Sequence, residues 1–204
     1  MTQQQSTVHI VDDDAAVRDS LSKSLSMEGF TVKDYSSAVE FLNDYNNQPG
    51  CLVADIQMPK ISGIELQAAL QQRNDDIPLI FITGHGNISM SVNAIKSGAI
   101  DFIEKPFSKA DLVNSIRTAL EIDQKNREHK LACKKIKERY NLLTLREKEV
   151  MEMLVKDFAS LSNSDIAEEL AISKRTVEVH RSSIMSKMLA KTRSELVEFS
   201  KLCS

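Results

Sequence analysis

At 204 residues the chain is long enough for one large domain or two small ones. Its hydrophobic content of 42% and charged content of 27% are typical of an ordinary soluble globular protein. The longest apolar run, residues 79–82, is too short to span a bilayer, and residues 1–7 lack the pattern of a signal peptide, so we expect a cytoplasmic protein without membrane partners.

The net charge of −3 hides an uneven distribution along the chain. Residues 1–120 carry 9 Lys/Arg against 15 Asp/Glu, whereas residues 121–139 carry 7 against 4. Residues 140–204 are balanced, with 10 of each. An acidic first half, a basic stripe and a neutral end indicate a protein of separate parts rather than a single enzyme domain.

Residues 7–120 alternate apolar β-runs with amphipathic segments. The β-runs lie at 8–11, 31–35, 51–54, 79–82 and 101–103. The helical segments lie near 15–28, 37–46, 62–72, 88–97 and 108–120. Uninterrupted apolar strands alternating with helices predict a parallel sheet covered on both faces. Five such units favour a flavodoxin-like order, with the switch point between the first and third strands. We therefore predict an α/β domain over residues 1–120.

Reactive side chains occur where these β-runs end. They are Asp12 and Asp13, Asp55, Thr83 and Lys105. The carboxyl ends of parallel strands meet at one edge, where such folds bind ligands. Clustered carboxylates need a cation, and Mg²⁺ prefers oxygen ligands from a few carboxylates, water and phosphate. The pattern predicts a magnesium and phosphoryl site in which Asp55 is the nucleophile and Thr83 and Lys105 contact the phosphoryl oxygens. Asp14 is interpreted as a helix N-cap.

Residues 121–140 are charged, lack Pro and Gly, and are rich in helix formers, so they are predicted to continue the preceding helix. Two interpretations remain open for this segment. It is either a solvated, partly frayed helix or a coiled-coil-like linker between domains. The thin apolar stripe of Ile116, Leu120, Leu131 and Ile136 does not decide between them.

Residues 141–204 are predicted to form a small all-helical domain. Capping boxes at Thr144–Glu147 and Thr192–Glu195, and a similar pattern at Ser162–Asp165, mark three helix starts. A further helix opens at Ser173 and runs to about Met188. Residues 173–193 carry six Lys/Arg and one Glu, which suits insertion into the DNA major groove. A mildly basic helix that is simply solvated is the competing interpretation.

The strand-end motifs resemble the receiver domain of bacterial response regulators. They are VDDD (11–14), DIQMP (55–59), ITGHG (82–86) and FIEKPF (102–107). The resemblance implies that Asp55 accepts the phosphoryl group and that Asp12, Asp13 and the backbone carbonyl of Gln57 complete the magnesium site. It also implies a cis peptide bond before Pro106 and an aromatic switch residue, here Phe102, that rotates inward behind Thr83.

The remaining segments look like a LuxR-type helix-turn-helix output domain. They are LTLREKEV (143–150), SDIA (164–167) and TVEVH (176–180). Residues 85–107 strengthen the similarity of the whole chain to FixJ-type response regulators. The resemblance implies that Thr176, Glu178, Val179 and Ser182 face the groove. It implies phosphate contacts from Lys174, Arg175, Arg181 and Lys187.

Two departures from the output-domain pattern concern the entry into the helix-turn-helix. Ser164 stands where the family usually has Lys, which removes a cation near the DNA backbone. Residues 156–162 are about two residues longer than usual and lack the customary Gly. The first departure bears on DNA affinity and the second on the seating of helix 164–171.

The resemblance implies a DNA-binding transcriptional regulator that a sensor histidine kinase phosphorylates on Asp55 and that then forms a homodimer. Such a protein modifies itself and is not an enzyme acting on a separate substrate. An aspartyl-phosphate phosphatase is an alternative, but residues 12–16 lack the Thr of the usual nucleophile motif and no cap-domain sequence follows. A receiver-like module that only mediates contacts is the other alternative, and the full acidic site argues against it.

Overall fold

The computed structural model describes residues 6–84, 88–156 and 161–202. Its chain divides into two compact units, one ending at Asn126 and the other starting at Arg127. None of the helices in the described ranges combines the length and apolar character needed to cross a bilayer. The predicted longer stretch at 156–162 lies mostly outside the described residues, as do residues 85–87 of the family motif.

The first unit is built on a five-stranded parallel sheet. The strands are β1 Thr7–Val11, β2 Thr31–Tyr35, β3 Gly50–Asp55, β4 Leu79–Thr83 and β5 Asp101–Glu104. Their order is β2-β1-β3-β4-β5, so the switch point falls between β1 and β3. The predicted flavodoxin-like fold is confirmed.

Helices cover both faces of this sheet. They are α1 Ala15–Met27, α2 Ala38–Asp44, α3 Gly63–Gln72, α4 Ile88–Lys96 and the first part of α5. The whole of α5 spans Lys109–Asn141. One apolar core contains Phe41, Leu66 and Phe81, and the other contains Leu25, Ile80 and Ile116. All residues of β4 are buried because both of its faces are covered, which explains its uninterrupted apolar sequence. Asp14 caps α1 as predicted, accepting hydrogen bonds from the backbone N–H groups of residues 16 and 17.

Helix α5 continues without a break through the predicted linker 121–140. Asp123 belongs to the first unit, where its carboxylate is buried and accepts a 2.9 Å hydrogen bond from the Gly50 N–H at the start of β3. Gly50 has no room for a side chain, since a Cβ atom there would lie 1.9 Å from the Thr7 carbonyl oxygen. The first unit thus extends a few residues beyond the predicted limit at 120.

In the described part of the second unit, the end of α5 is followed by four helices. These are α6 Leu145–Lys156, α7 Asn163–Glu169, α8 Lys174–Met188 and α9 Arg193–Leu202. Ile166, Val177, Ile184 and Leu196 are fully buried in its core. Ser162 and Asp165 form a capping box, and Ser173 caps α8. The small all-helical domain predicted from the sequence is confirmed.

A buried histidine lies in an aromatic cluster beneath α2. His9, on β1, is 2% exposed and packs against the rings of Tyr35, Phe41 and Tyr45. The Tyr35 hydroxyl donates to Asp44, so it accepts from the His9 Nδ1, 3.1 Å away. The other ring nitrogen, Nε2, finds no partner among the described residues. Burial, and secondarily the charge of Lys33, lowers the pKa of His9 to about 4.

We expect acid to destabilise the first unit through this histidine. Between pH 6.5 and about 4 the unfolded chain binds a proton at residue 9 that the folded protein excludes. Stability therefore falls as the pH falls through this window, by up to about 3 kcal/mol. Denaturant unfolding followed at several pH values should show a weaker pH dependence in His9→Phe than in wild type. His129→Gln, in the second unit, is the control, and equal pH dependence in His9→Phe and wild type would contradict the prediction.

Candidate functional site

Three of the predicted site residues meet at the carboxyl edge of the sheet. Asp12 follows β1, Asp55 ends β3, and Lys105 follows β5. The Lys105 ammonium donates to the Asp12 carboxylate at 3.1 Å and to the Asp55 carboxylate at 3.0 Å. The two bonded carboxylate oxygens are therefore at most about 6 Å apart. A flavodoxin-like order brings them together because β1 and β3 are adjacent strands at the switch point.

Burial and mutual contact shift the pKa values of Asp12 and Lys105 in this cluster. Asp12 is only 2% exposed, and burial raises its pKa although the Asp14 N–H and the Lys105 ammonium oppose the shift. Burial alone would lower the pKa of Lys105, but its hydrogen bonds to Asp55 and Asp12 outweigh burial and raise that pKa. One ammonium shared between two carboxylates leaves an excess negative charge. The site therefore favours a further cation.

The Asp55 carboxylate is held in a defined orientation. Its Oδ1 accepts a 3.0 Å hydrogen bond from the Gln57 N–H, and Oδ2 bonds Lys105. The helix that follows begins at Gly63, where a Cβ atom would lie 2.5 Å from the Asp55 carbonyl oxygen and 2.9 Å from the Phe81 ring. Gly63 thus allows α3 to start directly against the site. The role of this glycine depends on a contact between two elements, which the sequence pattern does not predict.

The other predicted residues lie around this centre. Thr83, the last residue of β4, is fully buried. Phe102 on β5 is half-buried and packs against the core that contains Phe81. Asp13 and Gln57 are exposed at the edge. The peptide bond before Pro106 is cis, as the resemblance implied.

The donor set fits a magnesium ion better than a metal that needs an all-protein cage. Across residues 6–84, 88–156 and 161–202, no group of three or more His, Cys, Asp or Glu side chains forms a metal site. Mg²⁺ does not need one, because it binds through one or two carboxylates and keeps several waters or phosphate oxygens. Asp12 and Asp55 supply two carboxylates. Burial raises the pKa of Asp12 and so disfavours its charged form, which a divalent cation would stabilise.

A second set of predicted residues forms the exposed face of α8. Its members recur at helical spacing and are Lys174, Arg175, Glu178, Val179 and Ser182. Val179 is 61% exposed, so its apolar side chain is available for contact at the surface. Thr176 is half-buried, and its hydroxyl lies 2.7 Å from that of the capping Ser173. The face combines cations, a hydroxyl and an apolar group, which are the groups that contact phosphates and base edges in a DNA groove.

The last cation of α8 is engaged inside the second unit. The Lys187 ammonium contacts both carboxylate oxygens of Glu147, at 2.7 and 3.0 Å, and the Ser183 hydroxyl donates to the same carboxylate. Glu147 is 4% exposed. Burial alone would raise its pKa, but the bonds from Lys187, Ser183 and Thr144 lower it to about 2. Glu147 was predicted only as part of a capping box, and its link to α8 is an additional structural role.

Arg181 also has a partner inside the second unit. Its Nη1 donates to the Asn163 side-chain oxygen at the start of α7. Because Asn163 is neutral, it does not compensate the charge of the guanidinium, whereas Glu147 compensates the charge of Lys187. The neighbouring Ser164, where the family usually has Lys, is exposed.

Comparisons with known proteins cover both units. Residues 8–117 match the family model described as "Response regulator receiver domain", and residues 141–200 match "Bacterial regulatory proteins, luxR family". The chain is 43% identical to "Response regulator protein TmoT" of Ectopseudomonas mendocina, covering 97% of this chain and 89% of that protein. It is 44% identical to "Transcriptional regulatory protein FixJ" of Rhizobium meliloti, covering 94% and 93%.

A solved structure supports the same assignment over nearly the whole length. The structure of "Response Regulator StyR" superposes with a TM-score of 0.82 at 39% identity, covering 97% of this chain and 98% of that one. The parallel sheet of the first unit and the helical second unit agree with the two family models. The chain therefore belongs to the two-component response regulators in which a receiver domain precedes a LuxR-type DNA-binding domain.

Proposed function

We propose that this response regulator is switched by Mg²⁺-dependent phosphorylation of Asp55 by a partner histidine kinase. The observation that carries the proposal is the Lys105 ammonium shared between Asp12 and Asp55 at the carboxyl edge of the sheet. This arrangement supplies a carboxylate nucleophile, a fixed cation and an acidic pocket for a metal within one hydrogen-bonded cluster. Those are the parts that phosphoryl transfer to a carboxylate requires.

Each residue has a role in the proposed reaction. Asp12, Asp13, Asp55 and the Gln57 carbonyl would hold Mg²⁺, which would neutralise charge on the phosphoryl oxygens. An Asp55 carboxylate oxygen attacks phosphorus while the bond from phosphorus to the kinase histidine nitrogen breaks, so the histidine leaves and the phosphoryl group becomes an aspartyl-phosphate. Lys105 then pairs with the phosphoryl group, and the Thr83 hydroxyl donates to it. The Phe102 ring then rotates inward behind Thr83. Because Phe102 has no hydroxyl, its inward and outward positions would differ in packing alone.

A small-molecule phosphodonor tests the proposal without knowledge of the kinase. Incubation with the donor and Mg²⁺ should add one phosphoryl group to the chain, seen by intact mass, and should shift the protein from monomer to dimer in light scattering. The same incubation with excess chelator should add none, because the transfer needs the metal. Phosphoryl incorporation of equal rate and extent in chelator would contradict the magnesium requirement.

We further propose that the phosphorylated dimer binds double-stranded DNA in the cytoplasm through α8. The exposed face of that helix carries Lys174 and Arg175 beside Val179 and Ser182. Cations on such a face set affinity and salt dependence, whereas groups that reach base edges set sequence choice. Lys187 contributes less to DNA than the resemblance implies, since Glu147 already neutralises it.

Substitutions on α8 should separate these two effects. Lys174→Gln and Arg175→Gln should each weaken binding to all sequences and lower the salt slope by about 1. Val179→Ala should leave the slope unchanged and reduce the discrimination at one base pair, where a mismatch typically costs about 1–3 kcal/mol. Duplexes selected from a random pool provide the sites, and Lys191→Gln, an exposed cation after α8, is the control. A uniform loss across sequences in Val179→Ala would contradict its assignment to the groove.

We propose no enzymatic activity on a separate substrate. The chemistry at Asp55 is stoichiometric, because one carboxylate is modified once per activation. Assays with small phosphate esters should therefore show no sustained release of phosphate. Continued turnover would favour the phosphatase alternative instead.

A further inference from the structure

Arg18, on α1, reaches the turn that follows β1 at the acidic edge of the sheet. Its Nη1 donates a 2.7 Å hydrogen bond to the Asp12 backbone carbonyl, and its Nε lies 3.5 Å from the Asp34 carboxylate on β2. We propose that Arg18 is a positioning residue for the magnesium site, because its bond to the backbone fixes the peptide that joins Asp12 to Asp13. The inference rests on the proposed function and adds a residue to which the sequence motifs give no role.

The Arg18 side chain is itself held in place. It is only 15% exposed, and it precedes the buried Leu21 and Leu25 by three and seven residues, so it lies on the side of α1 that packs against the sheet. The backbone N–H of Arg18 bonds the carbonyl of the capping Asp14, which places the residue one turn after the start of the helix. A guanidinium anchored in this way can support the backbone beside it.

The Asp12 carbonyl needs such a donor because the strand pairing ends before it. β1 ends at Val11, and although the Asp12 N–H still bonds the Tyr35 carbonyl at 3.3 Å, the Asp12 carbonyl lies beyond the paired residues. Asp12 is 2% exposed, and a buried carbonyl without a hydrogen bond is unfavourable. Because the peptide unit is planar, a bond to this carbonyl also fixes the N–H and Cα of Asp13. Arg18 therefore constrains the direction in which the Asp13 side chain leaves the backbone.

This support does not depend on the groups that take part in phosphoryl transfer. The Asp12 carboxylate accepts from the Asp14 N–H at 2.9 Å and from the Lys105 ammonium at 3.1 Å. In the proposed reaction Lys105 turns to the phosphoryl group, so one restraint on Asp12 is lost while the metal must still be held. The bond from Arg18 involves the backbone and persists through that exchange.

The charge of Arg18 and its hydrogen bond have opposite effects on magnesium binding. A cation near the site repels the metal, so removal of the charge alone would tighten magnesium binding. The Asp34 carboxylate partly compensates this charge, as expected for a guanidinium that acts through its hydrogen bond. Groups that orient metal ligands typically account for roughly 10–100-fold in metal affinity. Loss of the Arg18 side chain should therefore weaken magnesium binding even though a cation is removed.

Direct magnesium titration of the full chain tests this role without any phosphoryl transfer. The amide signals of residues 12–14 and 55–57 in two-dimensional NMR spectra give the Kd for Mg²⁺. We expect Arg18→Met to raise that Kd about tenfold. Lys23→Met, which removes an exposed cation from the same helix, is the matched control. Its Kd should stay within about twofold of wild type, because solvent and salt screen exposed charges.

A conservative variant and the phosphodonor reaction give two further readouts. Arg18→Lys keeps a donor that reaches the Asp12 carbonyl or Asp34 but not both, so its Kd should lie between those of wild type and Arg18→Met. It also keeps the test decisive if circular dichroism shows that Arg18→Met does not fold. In phosphorylation by the small phosphodonor, the Mg²⁺ concentration for half-maximal rate should rise with the Kd. The rate at saturating Mg²⁺ should stay near that of wild type, because the nucleophile and Lys105 are unchanged.

The possible results separate three roles of Arg18. A lower Kd in Arg18→Met would show that the guanidinium acts through its charge, and an unchanged Kd with a lower unfolding temperature would show a role in stability alone. Either result would overturn the proposal, as would a Kd in Arg18→Lys at or below that of wild type. Failure of wild type to accept a phosphoryl group in Mg²⁺ would instead overturn the proposed function and leave the comparison of Kd values standing.

Discussion

Asp55→Asn is expected to abolish phosphorylation by a small phosphodonor and, with it, dimerisation and stimulated DNA binding. The amide has nearly the shape of the carboxylate but cannot attack phosphorus as an anion. It also removes the negative charge of one of the two carboxylates that pair with the Lys105 ammonium. Intact mass should show no phosphoryl group on the variant under conditions that modify wild type completely. Light scattering should show the same oligomeric state with and without the donor.

A neighbouring acid provides the matched control. Asp14 is exposed, lies two residues from Asp12, and caps α1 through its carboxylate. Asparagine caps helices as well as aspartate does, so Asp14→Asn should fold and accept the phosphoryl group normally. Incorporation into Asp55→Asn at the wild-type level would show that another residue is the acceptor. Loss of incorporation in both variants would point to a general effect of negative charge at this edge.

The acidic site was predictable from the sequence because its residues mark strand ends. A parallel sheet brings four positions that are far apart in the sequence to the same edge. Buried strands such as β4 can be recognised in the sequence as apolar runs. The pattern therefore located Asp12, Asp55 and Lys105 before any contact between them was known. The structure adds the pairing, in which a single ammonium serves both carboxylates.

Interactions between elements of the second unit were not predictable in this way. The resemblance implied a phosphate contact for Lys187, and nothing in its local sequence points to Glu147, 40 residues earlier. Asn163 gave no sign that it would accept from Arg181. Such pairings depend on how helices pack side by side, which periodicity does not encode. The local signals, by contrast, were reliable at Thr144 and Ser162, where capping involves residues only three apart.

Glu147→Ala is expected to destabilise the second unit by about 1–3 kcal/mol, because it removes the shared acceptor and leaves the donors on Lys187, Ser183 and Thr144 without that partner. The carboxylate accepts from Lys187 and Ser183 on α8 and from the Thr144 N–H at the start of α6. Its loss would therefore release both helices. Hydrogen exchange read by mass spectrometry on peptides from α6 and α8 reports this change without interference from the first unit.

Glu149→Ala is the matched control for this effect. Glu149 lies on the same helix and pairs with Arg146, but both side chains are largely exposed. An exposed pair of this kind contributes about 0.5 kcal/mol or less, so exchange in Glu149→Ala should remain near wild type. DNA affinity should fall in Glu147→Ala, because α8 loses the contact that orients it. Equal protection in the two variants would mean that Glu147 contributes no more than a surface ion pair.

Substitution of Lys187 tests the same ion pair by changing its other partner. If its ammonium serves mainly to hold Glu147, Lys187→Met should destabilise the second unit, and the double variant with Glu147→Ala should be less destabilised than the two single effects added together. If Lys187 instead serves mainly as a phosphate contact, Lys187→Met should lower the salt slope of DNA binding by about 1 and leave exchange in α6 unchanged. The 2.7 Å contact with a nearly inaccessible carboxylate favours the first result. The recognition helix would then be positioned by an internal charge pair and attracted to DNA by Lys174 and Arg175, the exposed cations at its start.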